Sequence, residues 1–266
     1  IFDSLQEVHQ QQIISSVCTM AQGMAYFQKK IGLEKISLLE NAEELEEYCY
    51  FVAGAVGEML CGFFINEISG LSTQSKKIMR ENAVSFGLGL QITNISKDIV
   101  VDRGRGWSYV PRTYIEANGL TPDEFHSGKS SENDLKVLNC LLNKTVGHLN
   151  DALDFILAIP RSYARIRLFC IWPLWMAMET VAKLHNNHDL LKSNANVKIP
   201  RRTVKRILRQ TPFIYWSNKL LHRSFSNILK TEDFGSFDHF SIGQLKKRLD
   251  GLSLDNIPSK TQTYEF

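Results

Sequence analysis

Apolar residues recur at steps of three and four along most of this chain, the spacing that gathers them on one face of an α-helix. From Ser4 to Lys30 the pattern runs Leu5, Val8, Ile13, Val17, Met20, Met24 and Phe27. An acidic segment, Leu39 to Glu47, leads into an apolar stretch at residues 48–60 with small side chains along one side. Ser75 to Asp102 is a second long periodic segment, ending in a loop over residues 103–111. Thr121-Pro122-Asp123-Glu124 has the signature of a helix start, with a capping Thr, Pro at the first position and acids in the first turn. Ser131 to Ile159 predicts a long helix halted at Pro160, and Ser162 to His185 one that is apolar nearly all round and so expected at the centre. A basic helix is predicted from Arg201, and beyond about Ser224 the chain turns polar, with a short amphipathic piece at residues 242–252. No strand alternation, fixed repeat or low-complexity segment stands out. The expectation is an all-α fold: one helical domain over residues 1–225 and a polar tail over 226–266.

Composition narrows the class. The chain has 266 residues, 44% hydrophobic and 22% charged, enough for a substantial core. Its 31 Lys and Arg against 28 Asp and Glu leave a net +3, which gives no reason to expect a nucleic-acid partner. Five scattered cysteines without a CxxC pair support neither a disulfide framework nor zinc; buried free thiols in a reducing compartment are expected. The longest apolar run, residues 168–178, contains Pro173 and falls short of the ~20 residues that span a bilayer. No signal peptide is visible. The first residues, Ile1-Phe2-Asp3, enter directly into a helical pattern, so truncation of a longer protein is expected.

The chemistry concentrates in QITNISKDIVVDRGRGWSYVP, residues 91–111. Asn94, Asp98 and Asp102 stand four apart and stack along one helical ridge, with Gln91 extending it. Hard oxygen donors in that pattern suit Mg²⁺, which is commonly shared between one or two carboxylates and substrate phosphates. Arg103 and Arg105 follow in a Gly-spaced loop, and guanidinium groups bind phosphate by paired hydrogen bonds. The alternative is a solvated helix end with Arg103 as an ion-pair partner. In YCYFVAGAVGEML, residues 48–60, Gly54 and Gly57 sacrifice helix propensity and with Ala53 and Ala55 leave a face of small side chains. They allow a close approach, either of a neighbouring helix or of a long apolar ligand, and Tyr48 can point a hydroxyl into the resulting cavity.

Together these two stretches resemble the squalene/phytoene synthase family. The family pairs a YCxxVAGxVG helix with a later LQxxNIxRDxxxD helix, an Arg-Gly element and an aromatic-Pro stop. Here these read Tyr48–Gly57, Leu90–Asp102, Arg103-Gly104-Arg105-Gly106 and Tyr109-Val110-Pro111. The similarity continues through residues 165–184 into VKIPRRTVK, covering roughly residues 1–215.

The resemblance implies an isoprenoid synthase fold, a helical bundle around a central cavity. It implies a Mg²⁺-dependent enzyme condensing two farnesyl diphosphates to presqualene diphosphate, then squalene (with NADPH) or dehydrosqualene. With geranylgeranyl diphosphate the product would be phytoene, and a further relative would hydrolyse the cyclopropyl diphosphate. By position, Asn94, Asp98 and Asp102 would hold the metal, Gln91 and Lys97 would line the same site with Arg103 and Arg105, and Tyr48 would act near the cyclopropylcarbinyl centre. Lys198 and Arg201, with Arg202, would contact a phosphate; a solvated or membrane-facing basic face is the alternative. A monomer in the cytoplasm, with peripheral membrane contact, is expected. Three departures stand against full activity. Lys97 replaces the family's Arg, Val101 replaces an acid, and no DxxxD precedes Tyr48. A non-catalytic diphosphate-binding homologue or fragment is therefore the rival reading. His148, His185 and His188 form no zinc pattern, Trp172 and Trp175 read as core, and Arg161, Arg165 and Arg167 as surface or ion-paired groups.

Overall fold

Side-chain caps set where several of the helices begin. Asn41, Ser72 and Ser241 each accept a hydrogen bond from a backbone N–H in the first turn that follows. Thr121 with Glu124, and Ser131 with Asp134, form reciprocal capping boxes. In this computed structural model, residues 2–30, 37–192, 197–229, 234 and 240–252 are described. Among them the chain builds α1 (Glu7–Lys30), α2 (Ala42–Cys49), α3 (Ala55–Glu67), α4 (Thr73–Gly104), α5 (Arg112–Ala117) and α6 (Pro122–Phe125). These are followed by α7 (Glu132–Ala158), α8 (Ala164–Leu184), α9 (Arg201–Gln210), α10 (Asn218–Leu229) and α11 (Ile242–Asp250).

Three short elements between the long helices lie outside the periodicity. A π-helical turn, Tyr50–Gly54, joins α2 to α3 without a break, and two short strands, β1 (Ser37–Leu38) and β2 (Trp107–Ser108), pair in parallel. Strands of two residues are too short to show alternation, which is why none was expected. The helix running from Ala42 to Glu67 is long and apolar enough to cross a membrane by length and composition; here it packs against α1 and α4.

The centre is the contact of α4 with α7, where Leu88, Ile92, Leu142, Val146, Leu149 and Ile156 are fully buried. As expected, residues 162–185 are central: α8 packs on α4, α7, α9 and α10, although Phe169 on it is 54% exposed. Trp172 and Trp175 fasten later segments to α8, donating to Thr211 Oγ1 and Ser224 Oγ, both at 3.0 Å. Arg167 is not a surface group. It is buried, donating to the Ile159 carbonyl and, at 2.8 Å, to Asn218 Oδ1, and burial lowers its pKa to about 10.

The polar end of the sequence also packs. Helix α10 runs through the expected boundary at residue 225 and buries Leu221 and Phe225. On α11, Leu245 is buried and Arg248 reaches Glu46 at 2.6 Å and Glu47 at 2.9 Å. Lys144 meets Glu46 from α7 at 2.6 Å, and Lys30 meets Glu44 from α1. The acidic face of α2 is thus neutralised from three helices, as buried carboxylates require. All five cysteines are free, three of them buried.

Where α3 and the π turn before it meet α4, the approach is backbone to backbone. A Cβ added to Gly57 would lie 2.2 Å from the Ala83 carbonyl oxygen, and one added to Gly87 would lie 2.4 Å from that of Ala53. Gly87→Ala is therefore expected to force the π turn away from α4 at a cost of about 1–3 kcal/mol. Gly104→Ala, with nothing within 4 Å of its added Cβ, is expected to be neutral or slightly stabilising. Thermal melts of the two variants check this; equal melting temperatures contradict the crossing.

A buried polar cluster joins the two central helices. Ser85 Oγ donates to Asp151 Oδ2 at 2.6 Å and accepts from His148 Nδ1 at 2.7 Å. Burial, reinforced by Lys144, pushes the His148 pKa down from 6.5 to about 3. The unfolded chain takes up this proton near pH 6.5 and the folded chain only near pH 3, so stability falls as pH drops through that window. His126, lowered to about 4, acts in the same direction. His148→Gln is expected to make acid unfolding less steep between pH 6.5 and 3, read by circular dichroism; an unchanged acid profile contradicts it.

Candidate active site

Helix α4 carries two different faces through its last third. Thr93 and Ser96 are buried and donate back to the carbonyls of Gly89 and Ile92, at 2.7 and 2.8 Å. The opposite side presents Gln91, half-buried, then Asn94, Asp98 and Asp102 in the ridge their spacing predicts. Lys97 belongs to this ridge, its Nζ lying 3.2 Å from Asp98 Oδ2 and 3.4 Å from Asn94 Oδ1. Arg105 approaches Asp102 at 3.5 Å, and Val101 is 47% exposed beside it. Arg103 is half-buried.

The two carboxylates differ in setting. Asp98 keeps 39% of its side chain exposed and Asp102 only 16%. Burial first, then the charge of Asp98, raises the Asp102 pKa above the usual carboxylate value, while Arg105 and Lys97 oppose the rise. Two like charges held together in a partly dry setting form a site that gains from added positive charge. Among the described residues no three His, Cys, Asp or Glu side chains converge. The oxygen donors here are two carboxylates and the Asn94 amide.

Tyr48 reaches the same end of the molecule from α2. Its ring stacks on Tyr109, with centroids 4.5 Å apart and planes at 22°, and meets Phe27 edge-on at 5.3 Å. The charge of Asp102 acts on both phenols. Burial first, then the neighbouring Tyr109 hydroxyl and nearby negative groups, pushes the Tyr48 pKa far above its ordinary value. Tyr48 is therefore a protonated hydrogen-bond donor throughout the working pH range.

Tyr109 is a site neighbour that the sequence reading passed over as part of a helix stop. Its position depends on the β1–β2 pair, which joins Leu38 to Ser108, and on Arg112 and Thr113 N–H groups donating to the carbonyls of Leu39 and Glu40 at 2.8 and 3.0 Å. The segment leading into Tyr48 is thereby tied to the loop that follows Asp102. The π-helical turn was likewise unforeseen; it adds a residue to one turn just after Tyr48, altering how Tyr48 and the small residues beyond it face α4.

Those small residues open an apolar cavity of about 360 Å³ between α3, α4, α7 and α8. Val56, Gly57, Leu60, Phe86, Gly87 and Leu90 are among its walls, so Gly57 serves both readings of the sequence: close helix packing and a cavity wall. Leu90 lies next to Gln91, two helical turns before Asp98. Lys198 and Arg201 are exposed ahead of and at the start of α9, which packs on α8; no hydrogen bond or ion pair joins them to the aspartate ridge among the described residues.

The squalene/phytoene synthase family model matches residues 1–203. A Candida albicans squalene synthase is 30% identical over 222 residues, 79% of this chain and 46% of that protein. The bifunctional lycopene cyclase/phytoene synthase of Colletotrichum graminicola is 36% identical over 123 residues, 46% of this chain and 21% of that protein. The chain thus spans less than half the length of these relatives. Among solved structures, TcSQS bound to E5700 superposes with a TM-score of 0.71 at 21% identity, covering 94% of this chain and 69% of that one. With a family match over residues 1–203 and the same helical fold beneath it, this chain belongs to the squalene/phytoene synthase family.

Proposed function

We propose that the protein carrying this chain joins two farnesyl diphosphates head to head, through presqualene diphosphate, to squalene or dehydrosqualene. The observation that supports this reading is the closeness of Asp102, at the end of the ridge, to the stacked Tyr48–Tyr109 pair, with an apolar cavity lined further along the same helical segments at Val52 and Leu90. The donor set fits Mg²⁺ shared with a diphosphate rather than held in a closed cage: two carboxylates and an amide leave positions for phosphate oxygens and water. When bound, the ion would neutralise the departing diphosphate. Lys97, Arg103 and Arg105 add positive charge around the same group, and Asn94 and Gln91 orient it. The apolar walls at Val56, Leu60 and Phe86 hold the prenyl chain and keep water from an allylic cation. Tyr48, kept protonated, offers its O–H as a donor or acid and its stacked ring face to positive charge. The aligned Colletotrichum protein supports phytoene formation from geranylgeranyl diphosphate as the variant within this chemistry. NADPH belongs to the squalene outcome, and a product this apolar is expected to be delivered to a bilayer.

A second reading, a diphosphate-binding homologue without turnover, is favoured by Lys97. Its ammonium lies against both Asn94 and Asp98, where a metal would compete with it. Product mass after incubation with labelled farnesyl and geranylgeranyl diphosphates, with and without NADPH, separates these readings. Mg²⁺-dependent binding of farnesyl thiodiphosphate without product would favour the second.

Two substitutions test the residues. Asp98→Asn is expected to abolish Mg²⁺-dependent binding of farnesyl thiodiphosphate in calorimetry and to lower product formation ~100-fold or more. Its thermal stability should stay within ~0.5 kcal/mol of the parent, since Asp98 is well exposed. Binding unchanged by Asp98→Asn removes the metal assignment. Tyr48→Phe keeps the stacked ring and removes the hydroxyl; it is expected to retain diphosphate binding and lose product formation. Full activity in that variant takes Tyr48 out of the chemistry.

A further inference from the structure

Residues 190–231 contain ten Lys and Arg and no Asp or Glu, leaving the rest of the chain with 21 Lys and Arg against 28 Asp and Glu. A net charge of +3 therefore conceals a basic segment set against an acidic remainder. The described part of that segment forms α9, a 3₁₀ turn (Thr211–Phe213) and α10, packed on α8. On α9, Arg202, Lys205, Leu208 and Arg209 follow one another at steps of three and four or lie adjacent, and all are exposed. Lys219 and Arg223 are exposed at the start of α10, while Arg206 is held by Glu179.

Apolar groups stand among these cations. Leu208, Phe213, Trp216 and Leu220 are 39%, 74%, 52% and 38% exposed, and they make up four of the eleven exposed large apolar side chains among the described residues. A single exposed Leu is ordinary, but four within thirteen residues, set in a basic segment, form a patch. Arg206, Phe213, Ile214, Leu220 and Arg223 border one groove of about 920 Å³ between α8, α9 and α10. Trp216 Nε1 donates to the Phe213 carbonyl at 3.0 Å, so its polar atom is satisfied and its ring is ready for an apolar medium. The hydrogen bonds of Trp172 to Thr211 and of Trp175 to Ser224 brace the turn and α10 against α8. The aromatic tips are thus presented from a fixed base.

We propose that α9, the turn after it and the start of α10 dock on an anionic bilayer surface. Phe213 and Trp216 enter the boundary between headgroups and acyl chains, and Arg202, Lys205 and Arg209 meet the lipid phosphates. Long basic side chains suit this position because their stems lie along apolar surface while their charges stay at the headgroups. Nucleic acid would reward the cations but leave Leu208 and Leu220 without a partner. This deepens the proposed function, in which an apolar product is handed to a bilayer, while the surface itself is defined by its charge and exposure.

Sedimentation with vesicles of phosphatidylcholine, with and without phosphatidylserine, tests it. The chain is expected to bind the phosphatidylserine vesicles, more weakly as salt rises, and not the neutral ones. Phe213→Ser with Trp216→Ser is expected to weaken that partitioning roughly tenfold. Lys205→Gln with Arg209→Gln is expected to weaken it roughly tenfold and to flatten its salt dependence. Melting curves of both double variants should match the parent. No binding to phosphatidylserine vesicles overturns the proposal, as does equal binding by parent and variants, or variant-sensitive binding to duplex DNA in place of vesicles. Turnover of farnesyl diphosphate in detergent micelles is measured alongside. Vesicle binding without turnover keeps the docking surface and removes the enzymatic reading; turnover without vesicle binding does the reverse.

Discussion

Two helices in this fold approach closely enough that their backbones touch, and the candidate site follows from that contact. Gly57 lies against the carbonyl of Ala83, and Gly87 against the carbonyl of Ala53. A Cβ at either glycine would hold the π turn and α3 away from α4. Because both glycines lack one, the apolar faces of the helices close upon each other, and the space left beside the crossing becomes the cavity. The same crossing sets the distance between the Tyr48 end of α2 and the Asp102 end of α4. The loss of helix propensity at these positions, about 1 kcal/mol per glycine, is the cost of that geometry.

Electrostatics divides the charged groups into two kinds. The acidic residues Glu44, Glu46 and Glu47 are answered by Lys30, Lys144 and Arg248, so they hold helices together. Asp98 and Asp102 are answered less completely, from Lys97 and Arg105, and the charge of Asp98 adds to the cost of ionising Asp102. A structural carboxylate and a ligand-binding carboxylate differ in this respect: the first is satisfied within the fold, and the second keeps capacity for something else. The basic segment at α9 and α10 is the counterpart on the cation side, with few acids to meet it.

Much of this was legible in the sequence. The three- and four-residue steps located the long helices, and the four-residue spacing of Asn94, Asp98 and Asp102 placed them on one ridge. What escaped the reading depends on contacts distant along the chain. Tyr109 meets Tyr48 only because a two-residue strand at Ser37–Leu38 pairs with another seventy residues later. Arg248 reaches Glu47 across 201 residues, so α11 looked like part of a polar tail. Arg167 resembled its exposed neighbours Arg161 and Arg165, since nothing local signals that Asn218 and the Ile159 carbonyl will enclose it. The π turn has no compositional mark, because one extra residue in a turn leaves the apolar pattern almost intact.

The central claim is that one helix crossing places an oxygen-donor ridge, a protonated phenol and an apolar cavity around a single prenyl diphosphate. A crystal structure with farnesyl thiodiphosphate and Mg²⁺ tests it most directly. The account predicts the diphosphate at Asp98 and Asp102, with the prenyl chain passing Tyr48 toward Val56, Gly57 and Phe86. A diphosphate bound away from those carboxylates, or a prenyl chain lying outside that cavity, would contradict it.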